Sequence, residues 1–404
     1  MIDFHDAQVQ ALAHVTTMSD ERTPILDALG RVLSRGILAP RDVPHEANSA
    51  MDGFAVRHED VKRASERKGV SLTVVGESRA GRPFEGTVGQ GEAVRIMTGA
   101  LVPPGADTVV MSEYATTADN QVVLFVNPAK GANIRARGEF LRCGDTVLRH
   151  GDTIGPAEIG ILATLGYADV QVHRRPLVAV LSTGDELIDL GKPLGPGQVF
   201  SSNAYSLAAQ ISECGGVPLL LGIAADDEQE LLARLLEGLT ADVMVTSGGV
   251  SEGRHDLVKQ ALMRLGMKLV FWKVAMKPGK PMLFGMVDEK PVFGLPGNPG
   301  ATMICFEQFV RPALLQMMGH QRLFRPQAKA ALAGQAIRNA DRVHFLRCAL
   351  ENQNGSLTAT LIPKLSLGVT RSTRPADGLI VIAPGGAAVH PGDTVVVQIL
   401  RWPA

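Results

Sequence analysis

Continuous apolar runs alternate with amphipathic stretches between residues 176 and 322, which distinguishes this part of the chain from its flanks. Helix-like stretches occur at 203–214, 227–239, 255–265 and 299–318, and strand-sized apolar runs separate them at 176–181, 217–221, 242–245, 270–272 and 292–295. Unbroken apolar strands that alternate with helices are typical of a parallel sheet covered on both faces. The pattern therefore predicts a mostly parallel, three-layer α/β domain over residues 176–322.

Short β-type runs bounded by Gly or Pro dominate both flanks of that region. They occur at 72–75, 92–96, 108–111 and 121–125, and again at 344–351, 357–362, 378–383 and 393–400; helices are expected at 6–17, 21–35 and 156–165. We therefore predict four parts: a discontinuous N-terminal linking and dimerisation domain (1–45 and 146–175), an inserted β-rich domain (46–145), the α/β domain (176–322) and a small C-terminal β-barrel-like domain (323–404).

Composition and charge narrow the function without naming it. The 404 residues are 45% hydrophobic, and 40 basic residues against 41 acidic ones leave a net charge of −1, so nothing draws the chain as a whole to nucleic acid. The first ten residues do not resemble a signal peptide, and no apolar run reaches the roughly 18–20 residues of a membrane helix. We expect a cytoplasmic protein that binds neither nucleic acid nor membrane.

Cysteine and histidine patterns argue against a transition-metal site. The four cysteines, Cys143, Cys214, Cys305 and Cys348, form no CxxC pair and are expected to be free buried thiols, and the ten histidines form no HExxH pattern. Any bound metal is therefore expected to be a hard cation held by carboxylates.

Three glycine-rich loops follow predicted strands of the α/β domain. They run over 182–186 (Ser182, Thr183, Gly184, Asp185, Glu186), over 246–253 (with Ser247, Gly248 and Gly249) and over 295–300 (with Pro296 and Pro299). None matches a dinucleotide fingerprint or a P-loop. One such loop alone is usually a tight turn, whereas three on successive strand ends favour a site whose backbone N–H groups bind an anion such as phosphate.

Acidic residues gather in the same loops. Asp185 and Glu186 lie in the first, Asp226 and Asp227 follow the strand that begins at 217, and Asp256 ends the second. Carboxylates beside a phosphate would repel it unless a cation lay between them. Mg²⁺ is the expected cation because it binds a few carboxylates together with phosphate oxygens and water. Helix capping explains Asp226, Asp227 and Asp256 equally well, and the sequence does not choose between Asp226 and Asp227.

Lysines supply the opposite charge. Lys273, Lys277 and Lys280 lie within 271–281, where the KPGKP segment can hold two of them as point charges for phosphate or another oxyanion. No serine has a recognisable His partner, so the pattern favours catalysis by positioning and electrostatics without a covalent enzyme intermediate.

Seven ordered motifs together resemble the molybdopterin molybdenumtransferase family, which includes the gephyrin E domain. They are NSAMDGFAV from residue 48, RIMTGA from 95, NIRARGE from 133, STGDEL from 182, TSGGVS from 246, MKPGKP from 276 and GLPGNP from 294. The resemblance implies an elongated homodimer that catalyses Mg²⁺-dependent insertion of molybdate into adenylylated molybdopterin with release of AMP. It also implies transient contact with molybdopterin adenylyltransferase and with molybdoenzyme chaperones.

The resemblance also assigns roles. Glu186, Asp227 and Asp256 would line the pterin–nucleotide site and hold its cation, and the residues of the glycine-rich loops, with Pro296 and Pro299, would contact substrate. Lys277 and Lys280 would bind anions, while Arg347 and Ser372 would be the contribution of the C-terminal domain. Asp52, as a catalytic residue, and Thr98 would reach the site from the partner subunit, so that the homodimer shares its active sites.

Two departures from the family pattern keep alternatives open. Phe140 stands where the family has an aspartate after NIRxxGE, and Glu139 or Asp145 could compensate for it. The second loop carries Glu252, Arg254 and His255 at positions where the family has other types, and drift at exposed loop positions is the favoured explanation of this departure. The alternatives are a weakly catalytic pterin-binding or scaffold paralogue, and a variant that prefers tungstate. The preceding adenylyltransferase reaction is a third, which the additional domains disfavour.

Overall fold

The computed structural model describes residues 1–225, 227–250, 257–337, 341–353, 355–362 and 376–402. Contacts between Cα atoms divide the chain into two compact units. Unit 1 comprises Met1–Arg35, Gly151–Ile159 and Ala168–Ala404, and unit 2 comprises Gly36–His150 and Gly160–Tyr167. The four-part division expected from the sequence stays a prediction.

The first half of the chain is rich in short strands. Its helices and strands are, in order, α1 (Phe4–Ala13), β1 (Asp20–Pro24), β2 (Ile37–Leu38), β3 (Asn48–Ser49), β4 (Gly53–Val56), α2 (His58–Val61), β5 (Val70–Ser78), β6 (Glu92–Ile96), β7 (Thr108–Met111), β8 (Ala115–Ala118), β9 (Gln121–Leu124), β10 (Ile134–Arg135), β11 (Thr146–Leu148), α3 (Pro156–Leu165) and β12 (Asp169–His173).

Longer strands and helices follow. They are β13 (Leu177–Thr183), β14 (Leu187–Ile188), β15 (Val199–Phe200), α4 (Ser202–Glu213), β16 (Val217–Ala224), α5 (Glu228–Gly238), β17 (Val243–Ser247), α6 (Leu257–Arg264), β18 (Lys268–Trp272), β19 (Met276–Lys277), β20 (Leu283–Val287), β21 (Lys290–Leu295), α7 (Pro299–Cys305), α8 (Arg311–Met317), β22 (Gln327–Ala333), β23 (Val343–Gln353), β24 (Ser356–Leu361), β25 (Gly378–Ile382) and β26 (Thr394–Ile399).

The central sheet of unit 1 has the strand order β16-β13-β17-β21-β20-β18 and is parallel from β16 to β21. Val178 and Val180 of β13 belong to the core that includes α1, α4, α7 and α8, whereas Ala179 and Leu181 face α5 and α6. Because successive side chains of a strand point to opposite faces, the sheet lies between two helical layers. The predicted mostly parallel, three-layer α/β domain is confirmed.

One edge of that sheet runs antiparallel. The apolar run at 270–272 lies in β18, which pairs antiparallel with β20, and β20 pairs antiparallel with β21. Asp288 and Glu289 connect β20 to β21 as a two-residue turn, with φ of 46° and 63°. Two successive positive φ values fit the twist of a hairpin, so a turn without glycine joins these strands.

The helix predicted at 299–318 is one helical run with an irregular centre. Asn298 caps it by accepting hydrogen bonds from the backbone N–H groups of Gly300 and Ala301, and Pro299 occupies its first turn. Between α7 and α8, Phe306–Val310 form a π-helical segment whose Phe306 and Phe309 are buried. The run packs in the core beside α1 and β13.

The helix expected at 21–35 is wrong. Asp20–Pro24 form β1, which pairs antiparallel with β12 over five residues from Asp20↔His173 to Pro24↔Asp169. Beyond Pro24 the chain turns, and Gly30 has a φ of 76°. Pairing with a strand about 150 residues away in sequence outweighed a local pattern with helical periodicity.

A closed sheet forms the C-terminal part of unit 1. The strands follow the order β19-β23-β24-β22-β26-β25, and an additional pairing of β23 with β25 closes the last five into a small barrel. Its interior includes Leu332, Cys348, Ile380 and Val397. The predicted barrel-like domain is confirmed.

Unit 2 is built on a mixed sheet of order β7-β4-β6-β5-β9-β8, in which only the β5–β6 pair is parallel among the described pairings. Phe54 and Val110 belong to one apolar cluster and Ala55 and Val109 to another, so both faces of this sheet are covered near β4. Within the residues that the structure describes, no helix is long and apolar enough to cross a membrane.

Candidate functional site

Strand register brings the three glycine-rich loops together. Ser182 at the end of β13 is paired with Ser247 at the end of β17, and Ser247 is paired with Leu295 at the end of β21. Paired positions on neighbouring strands are about 4.8 Å apart, so the loops leave the sheet side by side. We call this side, where β16, β13, β17 and β21 end, the carboxyl edge.

The second loop contacts both the third loop and the first. The Gly248 N–H donates to the Leu295 carbonyl over 3.1 Å, and Gly248 and Gly249 have φ of 98° and 65°. A Cβ on Gly248 would lie 2.4 Å from the Thr183 carbonyl oxygen, and one on Gly249 would lie 2.9 Å from Thr183 Oγ1. Both positions therefore need glycine for backbone conformation and for space.

A buried hydroxyl at this contact lacks a partner among the described residues. Thr183 is 5% exposed, and its Oγ1 makes no hydrogen bond within the part of the chain that the structure describes. Leaving a buried hydroxyl unpaired costs about 1–3 kcal/mol, a cost that a bound ligand with a suitable polar atom removes. This atom is the first indication, beyond loop geometry, that the carboxyl edge binds a ligand.

The first turn of α4 joins the loops, and the sequence patterns did not single it out. Ser201 Oγ donates to Ser182 Oγ over 3.0 Å, and Asn203 Nδ2 donates to Ser247 Oγ and to the Gly297 carbonyl, each over 2.8 Å. The SSN run at 201–203 has the composition of a helix start, but its partners lie far away in sequence. No local pattern could therefore have revealed this role.

The carboxylates at the edge differ in their environments. Glu186 is exposed, and its carboxylate folds over Gly184, where a Cβ would lie 2.4 Å from Oε2. Asp227 caps α5, since its Oδ1 accepts from the Glu230 N–H over 2.9 Å. Capping therefore accounts for one oxygen of Asp227, and the other has no hydrogen bond to the described residues.

Several predicted residues cannot be placed. Asp226, Asp256, Ser372 and the second-loop positions Glu252, Arg254 and His255 lie outside the described residues. Among the residues that are described, no group of three or more His, Cys, Asp or Glu side chains forms a metal site. Glu186 and Asp227 are thus the predicted metal ligands with a known position.

The segment that carries the predicted anion-binding lysines contacts α7. Lys277 and Lys280 are exposed, and Gly279 between them packs so closely on α7 that a Cβ would lie 2.6 Å from Cys305 Sγ. Cys305 is six residues after Pro299, or about 9 Å along a helix axis. The lysine segment therefore contacts the helix that begins in the third loop.

The same segment is paired with the barrel. Lys277 of β19 is opposite His344 of β23, and Arg347 follows on that strand. Arg347 has the same parity as Phe345, whose side chain lies in the core shared with α1, so both point away from the barrel interior. Burial lowers the pKa of Arg347. Lys277 is paired with His344 and therefore lies on the opposite face of β23 from Arg347, so the structure does not bring these two side chains to one face; Ser372 lies outside the described residues.

A tryptophan supports the second loop from the other side. Trp272 Nε1 donates to the Val250 carbonyl over 3.2 Å. The ammonium groups of Lys259 and Lys273 lie 3.6 and 4.2 Å from the centre of its ring. Lys273, grouped with Lys277 by sequence, therefore places its ammonium group on the indole ring.

Unit 2 carries its own polar cluster. Asp52 Oδ1 accepts from the Thr98 N–H over 2.7 Å and from Thr98 Oγ1 over 2.8 Å. These two hydrogen bonds, the backbone one first, lower the pKa of Asp52 below 3.8. Asp52 is exposed, and because its pKa is lowered its carboxylate stays ionised at neutral pH.

Three sequence motifs of unit 2 meet at this cluster. Ser49 and Ala100 are joined by a backbone hydrogen bond, Ala50 donates to the Asn133 carbonyl, and β3 pairs with β10. NSAMDGFAV, RIMTGA and NIRARGE are therefore neighbours in space. Because the three motifs are neighbours, a single binding surface of unit 2 can include residues from each of them.

Phe140 is 61% exposed at the end of the third of these motifs. Glu139 Oε2 accepts from the Ala136 N–H over 2.9 Å, and Asp145 Oδ2 accepts from the Arg142 N–H over 2.7 Å. One oxygen of each carboxylate thus holds a turn of its own loop. Compensation for Phe140 by Glu139 or Asp145 stays a prediction.

The thiols divide into one accessible group and three protected ones. Cys143 is exposed, contrary to the expectation that all four are buried. Burial raises the pKa of Cys214 to about 11 and that of Cys348 to about 12, and it raises the pKa of Cys305. These three thiols stay protonated at neutral pH and make poor metal ligands.

Family models cover most of the chain in three consecutive blocks. Residues 2–166 match the MoeA N-terminal region (domains I and II), 179–316 match a probable molybdopterin binding domain, and 329–400 match the MoeA C-terminal region (domain IV). The second block contains all three loops of the carboxyl edge. The chain belongs to the molybdopterin molybdenumtransferase family.

Molybdopterin molybdenumtransferases of known sequence, and one solved structure, agree with this assignment. The chain is 40% identical to the one from Nostoc sp., over 76% of this chain and 72% of that one, and 35% identical to the one from Haemophilus influenzae, over 92% of both. The molybdopterin biosynthesis MoeA protein from Pyrococcus horikoshii superposes with a TM-score of 0.88 at 31% identity over the whole of both chains. The chain is therefore an enzyme of molybdenum cofactor biosynthesis, as its sequence predicts.

Proposed function

We propose that this enzyme transfers molybdenum from molybdate to adenylylated molybdopterin in a Mg²⁺-dependent reaction that releases AMP. The convergence of the three loops at the carboxyl edge carries the proposal. Glycine-rich loops that leave neighbouring strand ends suit the close approach of a nucleotide-bearing, anionic substrate. The Thr183 hydroxyl, which lacks a partner among the described residues, supports a ligand at the same place.

The carboxylates present are compatible with Mg²⁺. Glu186 and the second oxygen of Asp227 are hard oxygen donors, and Mg²⁺ commonly uses one or two carboxylates, with water and phosphate oxygens completing its shell. Glu186 and Asp227 would hold the ion, with Asp256 as the third proposed ligand. When bound, it would neutralise charge on the phosphoanhydride.

The chain's own groups would position the reactants. Lys277, Lys280 and Arg347 would bind oxyanions, with Pro296 and Pro299 shaping the neighbouring loop and Ser372 as a further proposed contact. Attack of water on the phosphoanhydride would release AMP, and the dithiolene of the pterin would then receive molybdenum. Since no nucleophile with a base partner was identified from the sequence, rate enhancement would come from alignment and charge.

We propose further that two copies share each site. Asp52 and Thr98 of the partner subunit would complete the site, because the convergence of motifs in unit 2 supplies a second binding surface with an ionised carboxylate. Transient contacts with molybdopterin adenylyltransferase and with molybdoenzyme chaperones, and a cytoplasmic location, remain predictions of the family resemblance.

The decisive experiment follows AMP. Purified enzyme given adenylylated molybdopterin, molybdate and Mg²⁺ should release AMP, and omission of molybdate or chelation of Mg²⁺ should stop the release. Glu186→Gln should reduce it strongly, whereas Glu237→Gln, an exposed change on α5, should leave it intact. The proposal would be overturned if AMP release were unchanged both when molybdate is omitted and in Glu186→Gln.

The exposed Phe140 favours one second candidate, a paralogue with weak catalysis. Phe140→Asp should then raise AMP release by about tenfold or more, in the range typical of a restored positioned charge. An unchanged rate would remove this candidate. Titrating molybdate against tungstate in the same assay tests the alternative of a changed oxyanion preference.

A further inference from the structure

Asn203 occupies a position that links all three loops of the carboxyl edge. It lies in the first turn of α4, two residues after Ser201, whose hydroxyl contacts Ser182 at the end of β13. From there its Nδ2 donates to Ser247 at the end of β17 and to the Gly297 carbonyl in the third loop. The amide group of Asn203 therefore connects the second and third loops. Ser201, just before α4, is hydrogen-bonded to Ser182, where the first loop begins.

Those two bonds fix the orientation of the amide. A backbone carbonyl can only accept, so the group that faces Gly297 must be the NH₂ of Asn203. The two hydrogens of Nδ2 are then both used. The oxygen Oδ1 points elsewhere and cannot exchange places with the nitrogen without losing both bonds.

That oxygen is buried and accepts no hydrogen bond within the described part of the chain. Buried acceptors are normally paired, and a fixed, unpaired one beside a ligand-binding edge is a preformed recognition point. Thr183 Oγ1, another buried atom near this edge without a partner among the described residues, can donate or accept. Asn203 Oδ1 can only accept, so it selects for an N–H or O–H group.

We propose that Asn203 is a positioning and specificity residue of the reaction, whose Oδ1 accepts a hydrogen bond from an N–H or O–H donor of the substrate while its Nδ2 holds the second and third loops. This inference rests on the proposed function of the carboxyl edge. Adenylylated molybdopterin offers such donors in two places, the ribose hydroxyls of the nucleotide and the amines of the pterin.

The two roles separate in kinetics. Removing an acceptor that the substrate contacts equally in ground and transition states raises KM and leaves kcat nearly unchanged. Asn203→Ala should raise KM roughly tenfold to hundredfold, the range for losing one buried hydrogen bond together with its loop contacts. Asn203→Asp keeps an acceptor oxygen but loses both N–H donors, so its defect should fall mainly on kcat. Asn203→Ala loses both roles and should show the same fall in kcat in addition to its raised KM.

Ligand binding distinguishes the sources of the donor. Calorimetry would compare AMP with its 2′,3′-dideoxy analogue, and molybdopterin would be measured separately, for wild type, Asn203→Ala and Asn203→Asp. With a ribose donor, wild type prefers AMP over the analogue and Asn203→Ala loses that preference. With a pterin donor, AMP binding is unchanged and molybdopterin affinity falls about tenfold or more in Asn203→Ala.

Folding and function are checked separately. Asn127→Ala, which removes an exposed amide that donates to the Lys62 carbonyl, serves as the matched control. If Asn203→Ala and Asn203→Asp both fold, as judged by thermal melting, and bind every ligand like wild type, the inference is overturned. An equal loss of affinity for AMP and its analogue, with molybdopterin binding unchanged, would show a merely structural role and also overturn it. Failure of the wild-type enzyme to bind any of these ligands would instead reject the proposed function of the edge.

Discussion

At the scale of single residues, the glycines of the second loop show how little freedom the carboxyl edge has. Gly248 combines a φ of 98° with a Cβ position 2.4 Å from the Thr183 carbonyl oxygen. Gly297, its neighbour in the third loop, has no positive φ, and a Cβ there would make an ordinary 3.7 Å contact. The two glycines offer a matched pair of substitutions.

Gly248→Ala should lower the free energy of unfolding by roughly 2 kcal/mol or more, since left-handed strain alone costs about 1–2 kcal/mol and a backbone clash adds to it. Gly297→Ala should change it by less than about 0.5 kcal/mol. Chemical denaturation measures both. Equal effects of the two substitutions would show that the close approach at Gly248 does not constrain the loop.

Asp52 allows a prediction about pH. Thr98→Val removes one hydrogen bond to the carboxylate and should raise the pKa of Asp52 toward its ordinary value of 3.8, whereas Thr98→Ser should leave it depressed. Because the folded-state pKa is lowered, the stabilisation is present above about pH 3.8 and is lost as pH falls through the folded-state pKa. Carboxyl-carbon NMR titration of the three proteins provides the measurement.

Residue-level prediction from sequence succeeded where chemistry was local. The loops with acidic residues and glycines can be recognised from the sequence because they directly follow the apolar runs that form the strands. Ser201 and Asn203 were missed because their partners, Ser182, Ser247 and Gly297, are brought near only by the sheet. Long-range hydrogen bonds of this kind leave no local pattern.

At the scale of elements, Asp227 tests whether helix capping and metal binding are separable. Asparagine caps a helix about as well as aspartate, whereas alanine loses about 1 kcal/mol. Asp227→Asn should therefore keep the stability of α5 and raise the Mg²⁺ concentration for half-maximal AMP release about tenfold. Asp227→Ala should lose both.

Thermal melting and Mg²⁺ titrations of the two variants decide the matter. Asp3→Ala is a control for capping alone, since Asp3 accepts from His5 and Asp6 at the start of α1. If Asp227→Asn were as active as wild type at limiting Mg²⁺, Asp227 would be a cap and nothing more.

Element prediction failed where tertiary pairing decided the outcome. β20 was missed because its turn to β21 uses Asp288 and Glu289 at positive φ, without the Gly or Asn that marks most such hairpins. The stretch at 21–35 formed β1 and turns because β12 offers it a partner strand. By contrast, α3 matched its prediction at both ends, where Pro156 begins a strongly apolar helix.

At the scale of the whole molecule, the shared site can be tested by mixing inactive variants. Asp52→Ala and Glu186→Ala would damage different surfaces of each proposed site. In a mixed dimer, one site would receive both damaged surfaces and the other would receive neither. Random exchange between equal amounts of the two should therefore restore about a quarter of wild-type AMP release.

Sedimentation velocity should show a dimer before and after exchange. If the mixture stayed inactive while mixed dimers formed, both residues would belong to one surface of a single chain.

The sequence could predict the architecture at this scale because apolar patterning distinguishes a covered parallel sheet from short strands. It could not place one copy against another, because no pattern within a chain encodes that register.

The π-helical segment at Phe306–Val310 gives the helix that starts in the third loop room for one extra residue. A π-turn accommodates one residue more than an α-turn, and each residue of an α-helix advances the direction of its side chain by about 100°. Shortening this segment by one residue would let it close as an ordinary α-turn, so α8 would keep nearly its present direction relative to Asn298 and Pro299. Removing a residue from the regular turns of α7 instead would turn α8 by about 100° and rotate Leu314, now fully buried, off the core. The segment is therefore the place where this helix tolerates a change of length without losing its packing.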